Sequence, residues 1–297
     1  MRELYILILL LLTASAGFAQ PRYYNRNYVE GALTYELLAG SAAMNCLTDL
    51  GGKQTVGQSA WKDLNWQMTK PSLSFAAVLT FCRNVALRFN VVSGSVTADD
   101  AVVENQPSPA RGRFQRNLSF SSRIVEASLL GEIYPVNLFA REGIWLPSAS
   151  PYLIAGVGCF YFEPTTVIRG VTEKLRPLRT EGQGFEEFPL RKEYKNLQPL
   201  LCVGAGIKSE LSAVINLRLE VMVRKLFTDY LDDVSTDYID PALYSRYHPP
   251  SKMLVARELA DRRRSGAAGP RGNSRKNDAY FTVGITGSWV FGREIIR

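Results

Sequence analysis

The chain has 297 residues, 46% of them apolar, 21% charged and 11% aromatic, with 35 Lys and Arg against 28 Asp and Glu for a net charge of +7. That balance excludes a disordered chain, and no repeat of roughly 20–50 residues points to a solenoid. A lone histidine, His248, argues against the usual zinc sites and leaves any Ser-His-Asp chemistry one candidate base, while Cys46, Cys82, Cys159 and Cys202 show no C-x-x-C spacing.

Met1-Arg2 gives a short positive start, residues 4–12 are an apolar run, and Ala16-Gly17-Phe18-Ala19 precedes Gln20. Small residues at 17 and 19 fit a signal-peptidase site, so residues 1–19 read as a signal peptide and 20–297 as the mature barrel. A retained anchor is the alternative, but the run falls short of the roughly 20 residues that span a bilayer. No cysteine follows it, so a lipoprotein is not indicated.

Beyond residue 20 no apolar stretch is long enough for a transmembrane helix, and the recurring period is two, the signature of strands. A weaker segment over 30–38 comes first. In the next two, Leu73, Phe75, Ala77, Leu79 and Phe81 alternate with Ser and small residues, then Val85, Leu87, Phe89 and Val91 with Ala86, Arg88 and Asn90. Segments over 118–134, 151–162 and 197–209 follow, the last two rich in glycine. Leu217, Leu219, Val221 and Val223 then oppose Asn216, Arg218, Glu220 and Met222, and Phe281, Val283, Ile285, Trp289 and Phe291 close the chain.

These eight strands are joined alternately by short and long connections: near 83–84, 135–150 and 210–213 on one side, near 39–70, 93–117, 163–196 and 227–278 on the other. A barrel in an outer membrane segregates its loops in this way. The fold class is therefore all-β, an eight-stranded antiparallel up-and-down transmembrane β-barrel with short periplasmic turns and long extracellular loops. By strand parity both termini are periplasmic. The membrane-spanning reading places Glu36, Arg88, Glu126, Glu132, Arg218, Glu220 and Arg224 inside a lumen that side chains fill, where they pair across the bore; an ion pathway is the alternative. Those charges speak against a soluble barrel with an apolar cavity. Tyr134, Tyr152, Tyr161, Phe162, Phe227, Trp289 and Phe291 lie near strand ends, where aromatic girdles are expected.

Two loop segments carry further signals. Thr180-Glu181-Gly182-Gln183-Gly184 lies in the third long loop, and the fourth opens Phe227-Thr228-Asp229-Tyr230-Leu231-Asp232-Asp233-Val234-Ser235. Asp229, Asp232, Asp233, Asp237 and Asp240 offer oxygen ligands of the kind calcium takes, but without EF-hand spacing, and turns capped by Asp are the plainer reading, so no metal is assigned. From Arg246 to Lys276 the sign reverses, with Arg262-Arg263-Arg264 inside a basic arm suited to lipopolysaccharide phosphates or an acidic protein, or else simply solvated. Nucleic acid is not an expected partner of an exported barrel. Catalysis would rest on His248 with Asp240 and Ser245 or Ser251, flanked by Pro249-Pro250, and no spacing there is diagnostic.

Arg116-Asn117-Leu118-Ser119-Phe120, the run from Ser150 to Gly158, Thr180 to Gly184, Phe227 to Ser235, and Gly272-Asn273 with Lys276-Asn277-Asp278 together resemble a family of Bacteroidota outer-membrane barrels. That family includes PorG, the barrel component of the type IX secretion system. The resemblance covers nearly all of the mature chain and departs from the family at 43–50, where a Leu-Gly-Asp-Leu-type segment is usual. It implies a non-catalytic barrel without cofactor, held in outer-membrane lipid, that anchors or contacts periplasmic ring proteins and a lipoprotein of the secretion machinery. The two loop motifs, which carry most of its specificity, offer Glu181, Gly182, Gln183, Gly184, Asp229, Asp232 and Asp233 as binding candidates. A general structural barrel or a narrow pore is the alternative.

Overall fold

A computed structural model describes residues 23–24, 28–50, 65–103, 111–138, 148–264 and 270–296. The signal segment 1–19, part of the first long loop and part of the 135–150 turn lie outside the described residues. The strands are β1 (Tyr23–Tyr24), β2 (Tyr28–Leu47), β3 (Lys70–Phe81), β4 (Val85–Asp99), β5 (Ser119–Ile133), β6 (Ala149–Ile168), β7 (Val171–Lys174), β8 (Leu197–Glu210), β9 (Ile215–Leu226) and β10 (Ala279–Ile295). The order β2-β10-β9-β8-β6-β5-β4-β3 returns through a β2–β3 pairing, so eight strands close into an antiparallel ring. β1 adds two residues beside β2, and β7 folds back on β6 as a hairpin. Closure leaves no free edge in the ring, which is the condition for β-structure to lie in lipid.

Outward positions carry Leu37, Phe75, Leu87, Phe89, Leu129, Leu153, Val157, Val203, Leu219, Ile285 and Trp289, all exposed. On β6 the apolar outward row runs from Leu153 to Tyr161; at about 3.3 Å per residue and a tilt near 40° it stands roughly 20 Å tall, close to the ~25 Å band of outer-membrane barrels. The inward face at the same level is polar and charged. Apolar outside and charged inside is the inverse of a soluble protein, and lipid is the solvent that stabilises it: the chain is an outer-membrane-type β-barrel. Among the described residues no helix is long and apolar enough to cross a membrane.

Three strands extend well past the segments the alternation marks out. β2 runs on to Leu47, β4 to Asp99 and β6 to Ile168. The reason is a change of polarity along the strand. On β4, Ser93, Ser95, Thr97 and Asp99 follow the lipid-facing Val91 on the outside, while Val92, Val96 and Ala98 are buried inside. Above the belt the wall therefore reads as a water-soluble barrel, polar out and apolar in, and the apolar-to-polar contrast that reveals a strand cancels at the crossover. The aromatic girdle also needs correction. Tyr161, Phe227, Trp289 and Phe291 are exposed on the outer wall, but Tyr134, Tyr152 and Phe162 are buried in the interior.

Val157 sits midway along the lipid-facing row of β6 at 61% exposure. Val157→Arg should lower unfolding stability in lipid vesicles by roughly 2–4 kcal/mol, the cost of an Arg at the bilayer midplane. Val167→Arg, equally exposed but above the belt, should stay within about 0.5 kcal/mol of wild type in the same urea titration.

Candidate functional site

The lumen holds three tiers of charge. At the turn rim Arg83 meets Glu30 at 3.1 Å and Glu210 at 2.5 Å, Arg293 meets Glu210 at 3.2 Å, and the Tyr28 hydroxyl donates to Glu210. In the middle Arg218 binds Glu132 and Glu36, both at 2.9 Å, and Arg88 binds Glu132 at 3.1 Å and Glu220 at 2.6 Å. Lys208 approaches Glu36 at 3.6 Å, while Tyr134 donates to Glu132 and Tyr152 to Glu220. In the upper tier Arg224 binds Glu126 at 3.0 Å, and Tyr280 and Ser128 donate to the same carboxylate. The seven interior charges named from the sequence thus form contiguous pairs. Glu30, Arg83, Lys208, Glu210 and Arg293 join them without having been singled out, because they sit at or near the turn-side ends of strands and in a turn, where alternation gives little guidance.

Large side chains fit this narrow bore because the facing strands carry glycine. A Cβ on Gly206 would lie 2.6 Å from the Tyr152 ring, so the Gly-rich wall of β8 makes room for that tyrosine and, above its ring, the Arg218 guanidinium at 5.4 Å. Among the described residues a cavity of about 30 Å³ lies beside Arg88, Glu220 and Arg224, enough for one or two waters.

Over the mouth, the long loops fold into a cap. Phe160, Phe162, Tyr194 and Tyr230 stack in succession at centroid distances of 5.2, 5.8 and 4.9 Å, carrying the apolar upper core into it. The two loop motifs meet there. Glu181 accepts from the backbone amides of Ser235 and Thr236 at 2.9 and 3.0 Å and from the Thr236 hydroxyl at 2.7 Å. Asp233 accepts from Thr180 and Tyr194 at 2.5 and 2.7 Å. Arg271, fully buried, donates to the Glu181 carboxylate at 2.7 Å and to the Asp233 carbonyl at 2.8 Å. Gly182 and Gly184 take positive φ of 73° and 77°, and a Cβ on Gly182 would stand 2.8 Å from Phe188, so the turn within the first motif requires glycine. Gln183 accepts from the Glu181 amide at 3.1 Å. Asp232 accepts from Val234 N at 3.0 Å and Leu50 N at 3.3 Å, tying the first loop into the cap.

Arg271 is the residue that reading the sequence missed. It lies in the run of basic residues taken as a surface arm, and nothing local marks it as buried. Much of that arm is tied down. Arg246 binds Glu186 and Glu187 at 2.8 Å, Arg263 binds Asp261 at 2.6 Å, and Arg264 lies 4.0 Å over the Phe114 ring. The acidic run is likewise dispersed: Asp240 caps a short helical turn through Ala242 N, and among the described residues no three His, Cys, Asp or Glu side chains gather to hold a metal ion. His248 packs near Phe185 and Tyr244, its Nε2 unbonded, while Ser245 donates to a carbonyl, so these groups form no hydrogen-bonded catalytic relay. Cys46 and Cys202 are buried, Cys159 faces outward, and all four cysteines are free thiols.

No protein-family model matches this chain, and no curated protein matches it. Solved structures similar to it include Ail, the attachment invasion locus protein of Yersinia pestis, at 9% identity over 87% of this chain and 99% of that one with a TM-score of 0.39. Neisserial surface protein A shares 10% identity over 86% of this chain and 96% of its own, TM-score 0.39. The outer membrane protein OprG from Pseudomonas aeruginosa shares 10% over 88% and 96%, TM-score 0.39. Values this low leave the function to be argued from the chain's own residues.

Two outcomes follow from the geometry. Arg218→Met should cost roughly 3–5 kcal/mol, because Glu36 and Glu132 lose their shared cation in a dry interior. Arg218→Met with Glu132→Gln should recover part of that loss, read by urea unfolding from vesicles. The second outcome concerns the cap. Burial pushes Asp229 up to about 9 and Asp232 to about 8, the Asp49 carboxylate adding to both, and lifts Asp233 to about 6 against the pull of Arg271. Both Asp229 oxygens are buried, and the nearby Ser235 hydroxyl pulls against the rise. The folded cap holds these protons more tightly than the unfolded chain, so their contribution to its stability is full below about pH 4, where an unfolded Asp is protonated, and falls as pH rises from there to about 9. Proteolysis within 227–278 should be faster near pH 10 than near pH 6, and Asp229→Asn should flatten the dependence.

Proposed function

We propose that this protein is a non-catalytic outer-membrane barrel acting as an accessory or anchoring component of type IX protein secretion, with its turn rim and both termini in the periplasm after removal of residues 1–19. The observation that carries the reading is the union of the two motifs most specific to the PorG-like resemblance. Thr180 to Gly184 and Phe227 to Ser235 lie far apart in sequence and share one buried network through Arg271. A sequence resemblance that follows residues engaged with one another is stronger than one scattered over unrelated surface. In this role the paired lumen is a rigid rod through the bilayer, the turn rim meets ring proteins and their lipoprotein, and the cap closes the outer mouth.

The filled lumen favours a structural barrel as the second reading, since ion pairs of Arg88 and Arg218 with Glu36, Glu132 and Glu220 cross it. An affinity pull-down from detergent-solubilised outer membranes, with a tag on the C-terminus, separates the two. Recovery of periplasmic ring proteins with their lipoprotein is expected. A clean monomer with no stoichiometric partner would overturn the secretion role, and unitary conductance in a planar bilayer would overturn the plugged lumen.

A further inference from the structure

The lipid-facing wall carries a basic patch at one edge of its belt that neither the lumen nor the cap uses. Register fixes its layout. Val125 on β5, Tyr161 on β6 and Leu197 on β8 stand side by side, exposed on the outer wall. Two residues further toward the loop rim, Arg123 pairs in register with Glu163. On the other side of β6, Asn196 continues the ladder, its carbonyl accepting from Phe162 N at 3.0 Å, which brings the outward Lys195 beside Glu163. Lys174 of β7 reaches the same carboxylate at 2.8 Å. Among the described residues Arg123 and Lys195 make no ion pair, and both are exposed. Three cations thus surround one carboxylate, an excess of two positive charges on a surface whose next row down is apolar. The turn rim differs: there Arg83, Lys208 and Arg293 all point into the lumen, and among the described residues no Lys or Arg faces outward.

We propose that Arg123, Lys174 and Lys195 form a binding site for the phosphate of a membrane-lipid headgroup at the loop-side edge of the belt. One pleat is about 7 Å along the strand, so these side chains meet the headgroup plane while Val125 and Leu197 lie against acyl chain and Tyr161 sits at the boundary. A phosphate monoester carries a charge near −2, which matches the excess, and the Arg123 fork supplies paired donors to its oxygens. The apolar row beneath selects a lipid-borne phosphate over a free one. This site is separate from the arginine run at 262–264 and does not depend on a secretion role.

The test uses the full chain folded in detergent and three probes: bisphosphorylated lipid A, the same lipid after enzymatic dephosphorylation, and inorganic phosphate. Wild type should bind the bisphosphorylated lipid at least tenfold more tightly than the dephosphorylated one, with inorganic phosphate a poor competitor. The triple variant Arg123→Ser, Lys174→Ser, Lys195→Ser should lose that tenfold, and Arg262→Ser, Arg263→Ser, Arg264→Ser should remain within twofold of wild type. Glu163→Gln removes the lone carboxylate and should tighten binding severalfold, a gain that a misfolded barrel does not produce. Equal binding of both lipids, an unaffected first triple variant, or loss confined to the 262–264 variant would overturn the proposal. Displacement of the lipid by inorganic phosphate at comparable concentration would overturn its lipid source.

Discussion

Everything in this molecule follows from closing eight strands around a bore that side chains fill. Lipid on the outside demands an apolar outer face, and the period of two then turns the intervening side chains inward. In an eight-stranded ring those side chains meet in contact rather than lining a channel. Charges there survive only as neutralised sets, since an isolated ion in such an interior costs several kcal/mol. Among the described residues six carboxylates (Glu30, Glu36, Glu126, Glu132, Glu210, Glu220) meet six cations (Arg83, Arg88, Lys208, Arg218, Arg224, Arg293). Tyrosine hydroxyls and glycine-bearing walls complete the fit, so the choice of Arg, Glu, Tyr and Gly inside is one solution to a single steric and electrostatic problem.

Above the bilayer the solvent changes and the same strands change with it. β4 carries Val91 outward in the belt and Ser93, Ser95 and Thr97 outward above it, with Val92 and Val96 now inside. The apolar upper core then continues without a break into the cap through stacked aromatics, so cap and wall share one core. Inside that cap, Arg271 and its two motif partners repeat on a smaller scale what the lumen does, a buried cation satisfying carboxylate and carbonyl together.

How much of this the sequence disclosed depended on which solvent faced each segment. Where one face meets lipid and the other a charged lumen, as from Asn216 to Arg224, contrast is large and the strand, its outward face and its interior charges are all readable. Residues 39–44 carry only Ala, Gly, Ser and Met, giving alternation nothing to contrast, so the second half of β2 is not legible in the sequence. Tyr134 and Tyr152 lie near strand ends as girdle residues do, yet parity with Glu132 and with the inward glycines of β6 sets them inside, a signal the sequence does carry. Arg271 had none, because burial in the cap is decided by loops distant in sequence, and which carboxylate an interior arginine meets depends on ring closure rather than on spacing along one strand.

The equal tally of opposite charges in the bore has an electrical consequence. A voltage acts on a protein through the charge it can displace along the field, and here each guanidinium is clamped to carboxylates at its own level, with no unbalanced charge left over among the described residues. A Donnan potential across the membrane therefore finds no gating charge to move. The paired bore is thereby indifferent to the polarity of the compartments on its two sides.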